Sequence, residues 1–249
     1  MGVLETNRSI VTTSDDTKIW RYMSFEKFVS LLENESLYFV RSNKFPDKFE
    51  GVLPKKIQDE IFKPDRYWQE TNEKNKKLYR EHRESIVVNC WHINEHESAA
   101  MWDLYLNSSD GVAIQSTVSS FKKSVEETKE KIYMGKITYL DYQNDDPNFD
   151  DEYSQYMHKR KSFEHEKELR FIHDLNNRFF NNNKPETENI NLPDDMGLSI
   201  QCDIKCLIEK IYVSPKSAKW FENLVRAICN KYGLEKEVFK SRLYDEALY

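Results

Sequence analysis

Glycine is scarce in this chain, which has six in 249 residues. The stretches G-x-x-x-x-G-K-[ST], G-x-G-x-x-G and G-x-S-x-G do not occur in it. Backbone cradles for nucleotide phosphates and the nucleophile turn of α/β-hydrolases are built on such glycines. The sequence therefore gives no support to P-loop, kinase, glycine-rich dehydrogenase or α/β-hydrolase chemistry.

Long apolar runs and paired cysteines are also missing. No run approaches the ~20 apolar residues that a membrane helix needs, and residues 1–16 lack the apolar stretch of a secretory signal. Of the four cysteines, Cys202 and Cys206 have a C-x3-C spacing, but no second Cys/His pair lies nearby to complete a zinc site. We therefore expect a cytoplasmic protein with no membrane partner and no bound metal.

Charge of one sign does not dominate the chain. The formal net charge is -6, which argues against a global field for nucleic acid without excluding a local basic patch. Mean hydropathy is -0.80, yet the chain holds 14 Phe, 14 Tyr and 5 Trp. Each aromatic side chain buries about 150–250 Å², so a folded core is expected.

The order of elements predicts one α+β domain with a mixed or antiparallel sheet core flanked by helices. We expect a flexible tail over residues 1–17, a single domain over 18–249, and a long loop or insertion over 176–197. The predicted strands cover residues 18–23, 37–41, 85–91, 112–115, 133–142, 167–173, 198–203 and 208–213. The predicted helices begin after Ser24 and cover parts of 54–83, 98–106, 118–131, 152–163 and 216–232.

The segment E-K-E-L-R, residues 166–170, carries the densest alternation of ionisable groups. In a strand, Glu166, Glu168 and Arg170 would project from one face, with the intervening leucine facing the core. One interpretation is an exposed ion-pair ladder of little energetic value. The other is a partly buried carboxylate, poised by Arg170 and Lys161 for catalysis or ligand binding.

Two other segments supply candidate binding residues. Ser98 is a plausible N-cap, and Trp102 and Tyr105 lie on one face of the helix that it begins. Such a stripe is usually core, although Trp and Tyr also line pockets. Arg21 and Tyr22 end an early strand next to a helix start, where an arginine can meet a phosphate or pair with a carboxylate.

The order of these segments resembles the bacterial domain-of-unknown-function family 2971, from about Trp20 to Leu243. The chain runs W-R-Y-M, L-Y-F-V-R-S-N-K-F-P-D-K-F-E-G, V-V-N-C-W-H, E-S-A-A-M-W-D-L-Y, G-V-A-I, F-E-H-E-K-E-L-R-F-I, I-E-K-I-Y-V-S-P-K and K-S-R-L. It has C-W-H where C-[FW]-S is commoner and V-S-P where G-P is commoner, which puts roles for His92 and Ser214 in doubt. The family implies no activity.

An early strand arginine, a middle Ser/Tyr segment and a late E-x-E strand also resemble ADP-ribosyltransferase-like folds, although no S-T-S motif appears. The resemblance implies that Arg21 holds a phosphate or ribose of NAD and that Glu168 is the catalytic carboxylate. It implies that Glu166 positions the acceptor and that Trp102 or Tyr105 stacks on nicotinamide. A fixed carboxylate beside developing positive charge is a sound stabilising device.

The leading hypothesis is therefore an NAD-consuming ADP-ribosyltransferase-like enzyme, a bacterial toxin or phage-defence effector acting on a protein or nucleic-acid acceptor. Its candidate site comprises Glu168 and Glu166 as catalytic residues, with Arg21, Tyr22, Ser98, Trp102, Tyr105 and Arg170 binding NAD. A non-catalytic sensor module that binds a ligand or partner is the alternative. A metal-dependent nuclease using Asp47, Glu50, Glu166 and Glu168 ranks last.

Overall fold

The computed structural model describes residues 3–5, 13–62, 66–106, 108–145, 147, 153–176 and 196–247. A ten-stranded sheet runs through this part of the chain. Its strands are β1 (Val3–Glu5), β2 (Lys18–Ser24), β3 (Ser36–Arg41), β4 (Ile86–Ile93), β5 (Gly111–Thr117), β6 (Ile132–Lys136), β9 (Glu168–Asp174), β10 (Gly197–Gln201), β11 (Lys210–Val213) and β12 (Glu237–Lys240). A separate two-stranded sheet is formed by β7 (Thr138–Leu140) and β8 (His158–Arg160).

The main path through the large sheet is β1-β6-β9-β4-β2-β5-β11-β12, and β3 joins β4 to β10. The pairs β1–β6 and β11–β12 are parallel, and the other ladders of this sheet are antiparallel. The helices are α1 (Phe25–Asn34), α2 (Lys55–Ile61), α3 (Gln69–Ser85), α4 (Ala99–Tyr105), α5 (Val118–Ser124), α6 (Ile204–Leu207) and α7 (Lys219–Lys231). The predicted α+β class, with a mostly antiparallel sheet flanked by helices, is confirmed. None of the described helices has both the length and the apolar character needed to cross a membrane.

The two faces of the sheet have different chemistry. Alternate strand residues such as Leu169 and Phe171 pack against α1, α5, α6 and α7 in the main core, which we call the helical face. The opposite face, here the site face, carries two smaller apolar clusters. One surrounds Tyr156 and the other surrounds Trp102 of α4. Because strand side chains alternate, every polar residue beside a helical-face residue in β9 must emerge on the site face.

The sheet forks beside β4. Its second and third residues pair with β3, and its last two pair with β2. Side chains bridge the stretch 89–91 between these pairings: Arg21 of β2 donates from Nη1 to the Cys90 carbonyl at 3.0 Å, and Asn89 donates to the Tyr38 carbonyl at 2.9 Å. The backbone groups at the fork are therefore satisfied by polar side chains, as buried backbone requires.

The helix predicted over residues 152–163 is wrong within its described part. Ser154–Tyr156 forms one 3₁₀ turn, β8 follows, and Lys161–Glu166 forms a second 3₁₀ segment. Tyr153, Tyr156 and Met157 are buried at helix-like spacing, which explains the prediction. Tertiary bonds override that periodicity, because the Thr138 amide donates to the Met157 carbonyl and β8 pairs with β7.

The ends of the predicted domain differ from expectation in one place. Within the predicted flexible tail, Val3–Glu5 forms β1 and pairs with β6, in parallel register from Val3 opposite Ile132. Residues 6–12 of that tail lie outside the described residues. Of the long loop predicted over 176–197, residues 177–195 also lie outside them, and Gly197 already belongs to β10.

Two glycines with positive φ provide a matched test of packing beside the site. Gly51 has φ 65° and Gly233 has φ 64°. An added Cβ at Gly51 would lie 2.6 Å from the Tyr156 ring, whereas nothing lies within 4 Å of it at Gly233. Gly233→Ala should therefore cost only backbone strain, about 1–2 kcal/mol. Gly51→Ala should cost a further ~1–3 kcal/mol from overpacking.

Urea unfolding of both variants at neutral pH measures this difference. Equal losses of unfolding free energy would mean that Tyr156 does not pack against Gly51 as described.

Candidate functional site

The strand predicted over 167–173, whose alternation was extended back to Glu166, begins at Glu168. Lys167 has φ 41°, a left-handed conformation that is uncommon for a residue with a side chain, and Glu166 closes the preceding 3₁₀ segment. Simple alternation therefore does not place Glu166 beside Glu168. The turn at Lys167 does so instead, because both carboxylates contact the same ammonium group, that of Lys159.

Five buried charged residues converge on the site face, and we call them the carboxylate cluster. Their exposed fractions are between 1% and 7%. The Nζ of Lys159 lies 2.6 Å from Glu166, 3.1 Å from Glu50 and 3.4 Å from Glu168. Arg170 lies 2.8 Å from Glu50 and 2.5 Å from Glu168. The members are Glu50, Lys159, Glu166, Glu168 and Arg170.

Four segments bring the cluster together, one of them the 3₁₀ segment that ends at Glu166. Glu168 and Arg170 lie on β9 and reach the site face by alternation. Lys159 comes from β8, where it stands opposite Tyr139 of β7, whose hydroxyl accepts a hydrogen bond from the Glu168 amide at 2.8 Å. Glu50 comes from the loop after β3. This loop is also fixed by an ion pair of 2.8 Å between its Asp47 and Arg160, which follows Lys159 in β8.

The carboxylate of Glu168 is held ionised. Burial alone would raise its pKa, but the charges of Arg170 and Lys159 and hydrogen bonds from Arg170 and the Cys90 thiol outweigh burial and lower the pKa to about 2. Arg170 donates to it from both Nε and Nη2, at 2.5 and 3.2 Å. A carboxylate with several charged donors keeps its negative charge at any physiological pH.

Glu166 has the opposite tendency. Burial raises its pKa above the ordinary value, and the nearby Glu168 charge adds to that rise, while Lys159 only partly opposes it. Its backbone is fixed by His92, whose Nδ1 donates to the Glu166 carbonyl at 2.6 Å. Two neighbouring carboxylates are thus driven apart in proton affinity, which is the arrangement that separates a permanent negative charge from a proton acceptor.

The cluster carries more negative than positive charge. Three carboxylates, Glu50, Glu166 and Glu168, face two cations, Lys159 and Arg170. A buried unbalanced charge is costly. It is balanced either by a proton on Glu166 or by a positive charge on a bound molecule.

Cys90 connects Arg21 to the carboxylate cluster. Arg21 bonds the Cys90 carbonyl, while the Cys90 thiol bonds the Glu168 carboxylate. Within the described part of the chain, the guanidinium of Arg21 makes no ion pair. Burial lowers the pKa of Arg21, the usual sign of a cation that lacks a compensating anion. A guanidinium with donors to spare is suited to bind a phosphate.

The predicted aromatic residues form a wall beside the cluster. Ser98 caps α4 by accepting from the Met101 amide, and its own amide donates to the Tyr22 hydroxyl at 2.7 Å. Trp102 is only 2% exposed and packs edge-on against Tyr22 at 5.0 Å. Tyr105 is 44% exposed. Tyr105 is therefore the member of this wall that can meet a ligand.

Sequence reasoning found part of the cluster and missed the rest. The prediction that Lys161 poises the carboxylate is wrong, because Lys161 pairs with Asp145 at 3.4 Å and Lys159 takes that position. Glu50 entered only as a metal ligand of the nuclease hypothesis. The sequence pointed to Lys159 and Glu50 in one way only, by the density of charged residues in H-K-R-K and in D-K-F-E-G.

The metal ligand set of the nuclease hypothesis is not assembled. The Nζ of Lys159 lies where Glu50, Glu166 and Glu168 converge, and Asp47 pairs with Arg160 instead. Among the described residues, no group of three His, Cys, Asp or Glu side chains is arranged to hold a metal ion.

No protein-family model and no curated protein matches this chain, so the resemblance to family 2971 stays a prediction. A solved structure of Thermus sp. 2.9 DarT in complex with NAD+ is similar in fold. The similarity covers 93% of this chain and 98% of that chain, at 10% sequence identity and a TM-score of 0.40. A likeness this distant assigns no function, and the site must be interpreted from its own geometry.

The two glutamates should respond to neutralisation by different amounts and with opposite pH dependence. Glu168→Gln removes the partner of Arg170 and should cost about 3 kcal/mol of unfolding free energy at pH 7. Glu166→Gln removes surplus negative charge and should cost less than ~1 kcal/mol. Because the folded pKa of Glu168 is about 2, below its ordinary value of 4.5, its stabilisation is complete above pH 4.5 and is lost as pH falls toward 2.

Urea unfolding between pH 3 and pH 7 checks both signs. The deficit of Glu168→Gln relative to the wild type should shrink on acidification. The raised pKa of Glu166 means that wild type should lose stability relative to Glu166→Gln as pH rises through that pKa. Parallel pH curves for all three proteins would contradict the charge assignment.

Proposed function

We propose that this protein is an NAD-consuming ADP-ribosyltransferase-like enzyme. The observation that carries the proposal is the surplus negative charge of the carboxylate cluster, which Cys90 links to Arg21, an arginine that makes no ion pair with the described residues. A molecule that complements both must present a positive charge close to an anionic group. NAD⁺ does so with its cationic nicotinamide and its pyrophosphate, and its cleavage develops positive charge on the ribose.

The chemistry divides between the two glutamates. The bond between the ribose C1′ and the nicotinamide nitrogen breaks, and nicotinamide leaves as a neutral molecule with the bonding electrons. Glu168, held ionised by Arg170 and Lys159, stabilises the positive charge left on the ribose. An acceptor oxygen or nitrogen then bonds to C1′, and Glu166 takes its proton, as the raised pKa of this carboxyl favours.

Binding falls to the residues around the fork. Arg21 contacts the pyrophosphate, Tyr105 stacks on the nicotinamide ring, and Tyr22, Ser98 and Trp102 support that wall from behind. Arg170 orients Glu168 and does not need to touch the ligand. The acceptor in this proposal is a protein or nucleic acid, and the setting is that of a bacterial toxin or phage-defence effector in the cytoplasm.

A non-catalytic binding module is the second candidate, and one observation favours it. Glu168 is 4% exposed and already bonded by Arg170, Lys159 and Cys90. A carboxylate with this many partners also fits a purely structural role. The residues around the fork would then bind a ligand without converting it. The two candidates differ in what neutralising Glu168 does to turnover relative to stability.

The enzyme proposal predicts that wild-type protein releases nicotinamide from NAD⁺ and that Glu168→Gln lowers kcat by at least ~100-fold, as loss of one electrostatic stabiliser does. Glu164→Gln is the matched control, since Glu164 is an exposed carboxylate of the same segment. Nicotinamide release measured on folded protein, verified by circular dichroism, checks this. A folded Glu168→Gln variant with wild-type turnover would contradict the catalytic role.

The phosphate assignment predicts a selective effect of Arg21→Gln. Loss of a charged hydrogen-bonding group costs about 1.5–3 kcal/mol, so affinity for NAD⁺ and ADP-ribose should fall by roughly 10- to 100-fold. Affinity for nicotinamide alone should not change. Arg242→Gln, at a guanidinium 82% exposed near the C-terminus, should bind like wild type. Calorimetric titration measures the affinities of all three ligands. An equal loss of affinity for nicotinamide would mean that Arg21 does not contact the pyrophosphate.

A further inference from the structure

Lys159 is the point where the three carboxylates of the cluster meet. Its ammonium lies 2.6 Å from Glu166, 3.1 Å from Glu50 and 3.4 Å from Glu168, and the side chain is 7% exposed. The ammonium donates hydrogen bonds to Glu166 and Glu168, and it contacts Glu50 as an ion pair. Burial alone would lower the pKa of Lys159, but the charges of Glu168 and Glu50 raise it above its ordinary value.

The chain around Lys159 is built to deliver this group. β8, which contains Lys159, pairs in parallel with β7. The next residue, Arg160, forms an ion pair of 2.8 Å with Asp47, and its guanidinium carbon lies 4.6 Å from the centre of the Phe49 ring. The Lys159 ammonium itself lies over the Phe163 ring, 4.7 Å from its centre. These contacts fix the lysine from its backbone to its tip, so that little side-chain freedom remains to be lost when a substrate binds.

Without an ammonium at this point, three buried carboxylates would face Arg170 alone. Repulsion between the glutamates would then be relieved by protonation of the one most ready to accept a proton, which is Glu166. Arg170 cannot replace the missing charge there, because its guanidinium is hydrogen-bonded to Glu168 and to the Tyr156 carbonyl and forms an ion pair with Glu50.

We propose that Lys159 is a positioning residue of this site: it holds Glu166 and Glu168 together and opposes protonation of Glu166, so that Glu166 can accept a proton from the attacking group. This inference rests on the proposed function for its catalytic consequence, but the contact with Glu166 is testable without any turnover. Lys159 touches the two catalytic carboxylates and not the reacting atoms.

The proton affinity of Glu166 depends on every charged or titratable group around it. These groups come from the loop after β3, from β4, α4, β7 and β8, and from β9 with the segment before it. They are Glu50, His92, Tyr105, Tyr139, Lys159, His165, Lys167, Glu168 and Arg170. Of Lys159, Lys167 and Arg170, Lys159 is the one that is hydrogen-bonded to the Glu166 carboxylate.

Carboxyl ¹³C NMR titration of glutamate-labelled protein tests the inference directly. In Lys159→Met the proton affinity of Glu166 should rise at least ~10-fold, as loss of an opposite charge at this distance predicts. Lys159→Arg should restore most of the wild-type titration. Lys161→Met is the matched control, because Lys161 is 59% exposed and pairs with Asp145. Lys159→Gln gives the same comparison if the methionine variant does not fold.

Turnover adds a second readout. The acidic limb of the pH profile for NAD⁺ cleavage should move to higher pH in Lys159→Met and return in Lys159→Arg, with KM little changed. A folded Lys159→Met or Lys159→Gln variant in which Glu166 titrates as in wild type overturns the inference. If wild type releases no nicotinamide while Glu166 responds as expected, the proposed function fails and the contact between Lys159 and Glu166 stands.

Discussion

The ion pair between Glu168 and Arg170 is the interaction on which the site depends. Both residues lie on β9, between β4 and β6, and both are almost completely buried. Breaking such a pair leaves an uncompensated buried charge, at a cost of about 3–5 kcal/mol. Since Arg170 also holds Glu50, and Glu168 also holds Lys159 and Cys90, the loop after β3, the β7–β8 sheet and β4 are all tied to this pair.

The excess of carboxylates gives the cluster its chemistry. A balanced buried network would be a structural device, worth little more than an apolar core of the same volume. Here one negative charge is left over, and burial places that excess on Glu166, whose pKa rises while that of Glu168 falls. The fork in the sheet sets Arg21, which lacks an ion pair among the described residues, one residue away across β4. Arg21 is thus linked to Glu168 through Cys90.

The sequence predicted the β9 part of this arrangement and little of the rest. Alternation in E-L-R correctly placed Glu168 and Arg170 together, because a strand allows only two faces. Alternation also predicted that Glu166 lies beside them, but the cause is different. The left-handed conformation of Lys167 brings Glu166 to that place, and strand pleating does not. Lys159 was missed because the buried Tyr153, Tyr156 and Met157 mimic helical spacing. The contacts of Glu50 with Lys159 and Arg170 were not predicted, because contacts between distant segments leave no local pattern in a single sequence.

Under the proposed function, the surplus negative charge of the carboxylate cluster favours binding of a ligand that carries a cation next to a phosphate. Calorimetric binding of NAD⁺ and of NADH to the wild-type protein, without acceptor, tests it most directly, because the two ligands share the pyrophosphate and differ in the charge of the nicotinamide ring. NAD⁺ should bind at least ~10-fold more tightly than NADH, a difference of about 1.4 kcal/mol. Equal affinity, or tighter binding of NADH, would contradict it.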